Sequence, residues 1–381
     1  MFSSFNHVQM VKKNSFLSFV KELPQNIFAG FVVSLVALPL GLGLALASEA
    51  PPLAGIIAAV TGGIVVSLLG GSHVTIAGPG NGLVIVLLAS IVSLGKGDLY
   101  EGYLFTLAAI IISGVLLFLF GLLRLGTISE FFPATAIQGM LAAIGIGILA
   151  KQFHIMLGLT GVNGGTINQL TAIPDSLVSF FFLHPFAGVL GLGSFVFLFL
   201  YSKIRNPYFH LIPAPMWVVV VSIGLGYYYT LILNQPLPID SELLVKIPEK
   251  LIASLPRPNF GKLLEADFIG VVLSITLIAN IESLLSIKAV DKLDLKKRRS
   301  NVNKDLRALG LASIISGFLG GLNVVTVIAR SSVNANNGGT NRSANFFHAV
   351  FLVLFVVFLG NQIQRIPLTA LAAILVFTGY K

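Results

Sequence analysis

The stretch Gly71–Leu88, GSHVTIAGPGNGLVIVLL, breaks an otherwise apolar region with a proline, several glycines and an asparagine. Its first part, Val74–Ile76, is β-branched and favours an extended backbone, and an apolar run long enough for a helix resumes after Asn81. In a bilayer, an extended backbone and the first N–H groups of a new helix are tolerated only where they are buried in protein or line a wet cavity. The stretch therefore predicts a membrane segment broken into a short strand and a half-helix.

Composition indicates an integral membrane protein around this stretch. Of the 381 residues, 55% are hydrophobic and 10% are charged, whereas about 25% are charged in a soluble domain. The absence of cysteine excludes disulfides, a thiolate nucleophile and cysteine-ligated metals. The sequence contains no HExxH pair, no GxSxG motif and no close acidic pair within the membrane segments. It therefore gives no indication of a metal site or of an enzyme. The net charge of +9 is interpreted as Lys and Arg on cytoplasmic loops rather than as a nucleic-acid site.

The sequence predicts an all-α polytopic membrane protein with about twelve segments, two of them broken. A spanning helix needs about 20 apolar residues. The continuous candidates are 26–48, 51–70, 103–121, 134–153, 184–202, 214–233, 267–287, 306–320, 343–360 and 366–381, and the broken ones are 72–94 and 322–340.

Charge placement predicts the topology. With the N-terminus inside, alternation of the twelve segments places roughly twice as many Lys and Arg residues inside as outside. We therefore expect a cell (inner or plasma) membrane protein with a cytoplasmic N-terminal segment, 1–25. A first half, 26–233, is followed by an extracytoplasmic Pro-rich linker, 234–266, and by a second half, 267–381, which the sequence leaves incomplete.

The second broken segment resembles the first. Asn323–Gly339, NVVTVIARSSVNANNGG, also opens with a β-branched run and then turns to small and polar residues. Two such breaks, one in each half, are typical of a transporter built from inverted repeats, with a midplane site between two half-helix N-termini. Helix N-termini that face each other favour an anion.

Two ionisable residues lie within apolar segments. Glu282 lies deep in the segment that begins at 267, beside Asn280 and Ser283, and Arg330 directly follows the second β-branched run. Charges at membrane depth are costly and mark functional sites. Arg330 would add a fixed positive charge for an anion. Glu282 would either pair with Arg330 or, with Asn280 and Ser283, take up the coupling ion, H⁺ or Na⁺.

Five stretches carry a family resemblance. They are ALPLGLGLALASEAPPLAGIIAAVTGGIV, GSHVTIAGPGNG, FFPATAIQGMLAAIGIGILAKQ, ANIESLLSIKAVDKL with NVNKDLRALGLASIISGFLGGL, and IARSSVNANNGGTNRSA, in this order across about 26–381. The chain resembles the SulP family of inorganic anion transporters, the sulfate-permease and bicarbonate-transporter group.

The resemblance implies a homodimer of fourteen-segment membrane domains, in which segments three and ten are broken and a core moves against a gate. It assigns the substrate site to residues of the first helix and of the two breaks: Pro39, Leu40, Ala77, Gly78, Pro79, Gly80, Asn81, Ala329, Arg330 and Ser331. Leu40 replaces a polar residue that is common in the family. The last residues match segment twelve, so we expect two further gate helices and a cytoplasmic STAS domain to be missing from this chain.

The expected function is secondary transport of a small oxyanion, sulfate or bicarbonate, by alternating access, with H⁺ or Na⁺ coupling and no bound cofactor. Two alternatives stay open. One is a passive anion channel. The other is a nucleobase transporter of the same fold, although Arg330 disfavours a neutral base.

Overall fold

The computed structural model describes residues 2–126, 134–160, 164–183, 185–204, 212–248 and 255–380. The helices in these ranges are α1 (Phe2–Ala47), α2 (Pro52–Leu69), α3 (Val84–Gly95), α4 (Leu99–Leu122), α5 (Ala134–Met156), α6 (Thr166–Thr171), α7 (Ile173–Leu183), α8 (Pro185–Tyr201), α9 (Ala214–Tyr227), α10 (Ala266–Asp291), α11 (Val302–Phe318), α12 (Ile328–Asn336), α13 (Ser343–Ile363) and α14 (Leu368–Tyr380). Six helical spans among the described residues are long and apolar enough to cross a membrane.

Local sequence explains where several helices begin. The Asp98 carboxylate accepts the Tyr100 and Glu101 N–H groups at 2.9 and 3.0 Å and starts α4. The Asn301 side chain accepts the Lys304 N–H at 3.1 Å and starts α11. Such caps satisfy N–H groups that have no partner within the helix.

Both predicted breaks are present, and they meet. Strand β1 (Ala77–Pro79) pairs antiparallel with β2 (Val324–Thr326), with Gly78 opposite Val325. After β1 a short 3-10 turn, Asn81–Leu83, leads into α3, and after β2 the chain enters α12. Both half-helices therefore start from the same two-stranded antiparallel sheet, formed by β1 and β2, which we call the strand crossing.

Two large apolar clusters surround the crossing. One unites α4, α10 and α11 with the strands through residues such as Leu107, Ile275 and Leu309. The other unites α1 and α14 through residues such as Leu42 and Leu375. Because both clusters include residues of α2 or α3 next to the strands, the crossing lies where they meet.

The structure adds detail to the expected segments. It contains α6 and α7 between α5 and α8, where the sequence predicted no segment, and residues 2–25 are helical and continuous with the first span. In the linker, a 3-10 turn forms at Ser241–Leu243 and Leu244 bridges to Pro367. The linker residues 249–254 and the stretch 131–133 of the third family motif lie outside the described residues.

Candidate functional site

The second half of the chain holds β1 in place. The Ile76 N–H donates to Ser331 Oγ at 2.8 Å, and the Ala77 N–H donates to Asn345 Oδ1 at 3.3 Å. Ser331 Oγ donates in turn to the Val327 carbonyl at 2.7 Å. Ser331, which the family resemblance assigns to the substrate site, has a structural role here, because its buried hydroxyl joins the residue before β1 to the start of α12.

Arg330 is buried without a partner. Its side chain is 0% exposed, and Nε, Nη1 and Nη2 all lack a hydrogen-bond partner among the described residues. Its Nη1 lies so close to Gly78 that a Cβ on this glycine would collide with it. An uncompensated buried charge is strongly destabilising. The arrangement at β1 is therefore suited to an anionic group that would pair with the guanidinium.

Glu282 approaches the same strand two residues further along. The Gly82 N–H donates to Glu282 Oε1 over a long 3.4 Å, so the carboxylate caps the 3-10 turn after β1. A Cβ on Gly80 would lie 2.6 Å from Oε2 and 2.8 Å from Oε1. Oε2 is buried and has no hydrogen-bond partner in the described part of the chain. This close approach explains why glycine occupies position 80.

Two neighbours of Glu282 on α10 also carry free polar atoms. Asn280 and Ser283 are 8% and 1% exposed. Asn280 Oδ1 and Ser283 Oγ are buried and unpartnered within the described ranges. Within one turn, α10 therefore carries three buried oxygen atoms that have no hydrogen-bond partner among the described residues.

The expected alternative of a direct Glu282–Arg330 pair is not formed in this structure. Arg330 has no hydrogen bond to any described residue, and Glu282 Oε1 accepts from Gly82 instead. The two side chains approach β1 at Gly78 and at Gly80. The site therefore keeps one positive and one negative group separated along the strand.

The remaining predicted residues lie around this centre. Ala77, Gly78 and Pro79 form β1 rather than the first turn of a helix, which begins after Gly80 at Asn81. Ala329 lies in the first turn of α12 and is exposed. Pro39 and Leu40 are buried on α1, the helix that contacts β1.

The sequence analysis missed a polar group behind the strands. His348 on α13 is 0% exposed, and neither ring nitrogen has a hydrogen-bond partner among the described residues. It lies one turn after Asn345, whose side chain contacts β1, and near Arg330. The sequence feature that could have indicated this group is the spacing of Asn345 and His348, two polar residues three positions apart in a mainly apolar helix.

Comparison with known proteins identifies the family. Residues 23–381 match the model of the sulfate permease family. The chain belongs to this family. The assignment confirms the resemblance seen in the sequence, and it makes the protein a relative of transporters rather than of enzymes.

The relatives of this chain include proteins named as sulfate transporters and proteins named as bicarbonate transporters. It is 28% identical to "Putative sulfate transporter YvdB" of Bacillus subtilis over 95% of this chain and 65% of that protein. It is 26% identical to "Bicarbonate transporter BicA" of Picosynechococcus sp. over 93% of this chain and 61% of that protein. The chain therefore spans less than two thirds of the length of these relatives.

Solved structures share the fold. The transmembrane domain of a cyanobacterial bicarbonate transporter BicA matches with a TM-score of 0.81 at 24% identity, over 94% of this chain and 88% of that chain. The murine anion transporter Slc26a9, described as inward-facing, matches with a TM-score of 0.80 at 17% identity, over 95% of this chain and 62% of that chain. The predicted fold class, a polytopic membrane protein with inverted repeats and two broken segments, is confirmed.

Proposed function

We propose that this chain forms the membrane domain of a secondary transporter for a small inorganic oxyanion, with sulfate and bicarbonate as the candidates. The observation that carries the proposal is Arg330, a fully buried guanidinium without a hydrogen-bond partner in the described residues, beside β1. A bound oxyanion would supply the missing negative charge and hydrogen-bond acceptors.

Backbone groups would complete the anion site. The first N–H groups of a helix have no acceptor within the helix, and the helix dipole places partial positive charge there. In this chain α12 begins at Ile328, and the 3-10 turn before α3 begins at Asn81, both next to the strand crossing. The proposal places the oxyanion between these two starts, where Arg330 adds a full charge.

Glu282 is proposed as the group that binds the coupling ion. Its Oε2, together with Asn280 Oδ1 and Ser283 Oγ, has no hydrogen-bond partner among the described residues. A proton would neutralise the carboxylate next to an incoming anion, and Na⁺ would find oxygen ligands there. Either cation would offset charge repulsion between Glu282 and the anion, which is the physical basis for coupled binding.

The transport cycle in this proposal is alternating access. The apolar cluster around α4, α10 and α11 would carry the strand crossing past the cluster around α1 and α14. The proposed setting is the cell membrane, with the N-terminus cytoplasmic and the protein as a homodimer.

Uptake into proteoliposomes tests the proposal. The protein, in its native full-length form, is reconstituted and given radiolabelled sulfate or bicarbonate, with and without Na⁺ and a pH gradient. Saturable uptake that a cation gradient accelerates is the expected result. Uptake that neither saturates nor responds to gradients would instead establish a passive channel. Uptake of labelled uracil, with no uptake of either anion, would establish a nucleobase transporter.

A further inference from the structure

A cavity lies away from the strand crossing. Its volume is about 330 Å³, and it lies between the end of α1, the end of α5 and the start of α14. Glu49 lines this cavity and follows the C-terminal end of α1, whereas Glu22, near the start of the apolar span Phe19–Ala47, contacts Lys296 at 2.6 Å. The cavity therefore lies at the opposite end of this span from the Lys/Arg-rich loop between α10 and α11.

One corner of the cavity is polar. Lys151 Nζ donates to Glu49 Oε1 at 2.6 Å and to the Ala47 carbonyl at 3.2 Å. A lysine ammonium has three N–H donors, so these two bonds leave one donor for a ligand. Gln152, which also lines the cavity, is 3% exposed, and its Nε2 has no hydrogen-bond partner in the part of the chain that the structure describes. Two adjacent residues of α5 therefore offer unused donors.

The rest of the cavity wall is mainly apolar. Leu46 of α1, Ile155 of α5 and Leu371 of α14 lie on it, with Leu368 and Ala372 beside them. Sites for organic ligands are mostly apolar, contain a few placed polar groups and measure roughly 300–1,000 Å³. A small inorganic anion would leave this apolar wall without contacts, so the lining favours a ligand with an apolar body.

Glu49 occupies the position that the charged end of such a ligand would take. Its carboxylate already binds Lys151. The Glu49 side chain is 39% exposed, so it has room to swing into solvent. An incoming carboxylate can therefore replace it on Lys151.

We propose that the cavity between α1, α5 and α14 binds an amphipathic organic carboxylate. The ligand carboxylate displaces Glu49 from Lys151 and accepts a hydrogen bond from Gln152 Nε2, and its apolar body packs against Leu46 and Leu371. This site is separate from the strand crossing, and the proposal does not depend on transport.

The test measures binding of benzoate to the purified protein from the rise of its unfolding temperature with ligand concentration, because a ligand that binds the native state stabilises it. Lys151→Gln should weaken binding about tenfold or more, since it removes a hydrogen bond to a charged donor. Gln152→Leu should also weaken it. Glu49→Gln should tighten binding, because it removes the competing carboxylate. This opposite sign keeps the test decisive even if Lys151→Gln does not fold.

Three controls define the site. Lys96→Gln changes an exposed lysine of the α3–α4 loop and should leave benzoate binding unchanged. Arg330→Ala should leave it unchanged as well, because Arg330 belongs to the strand crossing. Sulfate, which lacks an apolar body, should give no stabilisation that depends on Lys151.

Several results would overturn the proposal. They are the absence of stabilisation by benzoate, equal benzoate affinity in Lys151→Gln and the unaltered protein, weaker binding in Glu49→Gln, and loss of binding in Arg330→Ala. Stabilisation by sulfate that Lys151→Gln abolishes would reassign the cavity to inorganic anions and would also reject the organic ligand.

Discussion

Arg330 carries the strongest prediction at the scale of single residues, because its side chain is fully buried and its guanidinium has no hydrogen-bond partner among the described residues. If Arg330 pairs with the transported anion, Arg330→Ala should reduce anion uptake at low substrate concentration by roughly tenfold to a hundredfold. This range corresponds to the free energy of one or two hydrogen bonds to a charged donor. Initial rates of labelled sulfate and bicarbonate uptake in proteoliposomes measure the effect.

Arg330→Lys is the matched variant for this prediction. It keeps the positive charge but loses the planar set of donors, so it should retain more uptake than Arg330→Ala. Equal, near-normal uptake by both variants would remove Arg330 from the anion site.

Glu282 carries a prediction about coupling. If its carboxylate binds the coupling cation, Glu282→Gln should make uptake insensitive to the pH or Na⁺ gradient that drives the unaltered protein, because the amide neither binds a proton nor balances Na⁺. The measurement is uptake with and without each gradient. Glu265→Gln, which changes a carboxylate at the start of α10, should keep the normal gradient dependence. An unchanged gradient response in Glu282→Gln would reject the coupling role.

Gly78 tests the geometry around Arg330. A Cβ at position 78 would collide with Arg330 Nη1 and would lie 3.3 Å from Ala59 Cα. Gly78→Ala should therefore displace the guanidinium and lower uptake severalfold or more, with larger losses in Gly78→Val. Gly270→Ala is the matched control, because nothing lies within 4 Å of that position. Normal uptake by a folded Gly78→Ala protein would show that this packing does not matter.

Single residues also show how far the sequence predicts the site. Glu282 and Arg330 stand out in the sequence because ionisable groups are rare in apolar segments. Asn345 and His348 were missed because the sequence does not show that this face of α13 packs against β1. Asn345 contacts Ala77 across 268 positions of the chain, and such a contact depends on tertiary packing that no local pattern encodes.

At the scale of elements, the two breaks were predictable and their pairing register was not. The β-branched runs and the glycines around Gly78 predict a strand and a turn in each half. The alignment of Gly78 with Val325 depends on hydrogen bonds such as those of Ser331 and Asn345. The helices α6 and α7 were missed because they are 6 and 11 residues long, too short for a criterion of about 20 apolar residues.

The loop between α10 and α11 is fixed by Asp294. The Arg298 side chain donates to Asp294 through Nε at 2.8 Å and Nη2 at 3.1 Å, and Nη2 also donates to the Thr340 carbonyl at 2.6 Å. Burial alone would raise the pKa of Asp294. The Arg298 bonds and the Lys296 and Arg298 N–H groups outweigh it, so its pKa lies below the usual value.

This depressed pKa predicts a pH dependence of stability. The ionised Asp294 stabilises the folded state above its unfolded pKa of about 4, and that stabilisation is lost as the pH falls through the lower folded value. Asp294→Asn should therefore lower the unfolding temperature at pH 7, and the difference from the unaltered protein should shrink in more acidic buffer. Thermal unfolding of the purified protein over this pH range measures it.

Asp267→Asn is the comparison for the Asp294 prediction, because Asp267 lies exposed in the first turn of α10. It should change the unfolding temperature little at pH 7. A pH-independent deficit in Asp294→Asn would mean that packing of this loop, rather than the charge of Asp294, stabilises the fold.

At the scale of the whole molecule, contacts between the two halves extend beyond the strand crossing. Asp305 of α11 accepts the Gly71 N–H at 2.7 Å and also contacts the Ser72 hydroxyl. Asn26 of α1 accepts the Thr340 N–H at 2.9 Å. Together with the Lys296–Glu22 and Arg298–Thr340 bonds, they gather residues 22–26 of α1, the α10–α11 loop and the α12–α13 loop at one face, which carries the densest cluster of Lys and Arg.

That arrangement gives a prediction for the orientation in the membrane. Lys296 contacts Glu22 near the start of the apolar span Phe19–Ala47 of α1. Leu99, just after the α3–α4 loop, lines the same cavity as Glu49 at the other end. The two loops therefore lie at opposite faces, and the positive-inside rule places the α10–α11 loop in the cytoplasm.

Because the chain has no cysteine, a single reporter thiol can be introduced at either face. Lys96→Cys should react with a membrane-impermeant maleimide in intact cells. Arg299→Cys should react only after the cells are permeabilised. The reverse pattern would invert the topology, and equal labelling of both in intact cells would contradict the placement of the two loops on opposite faces.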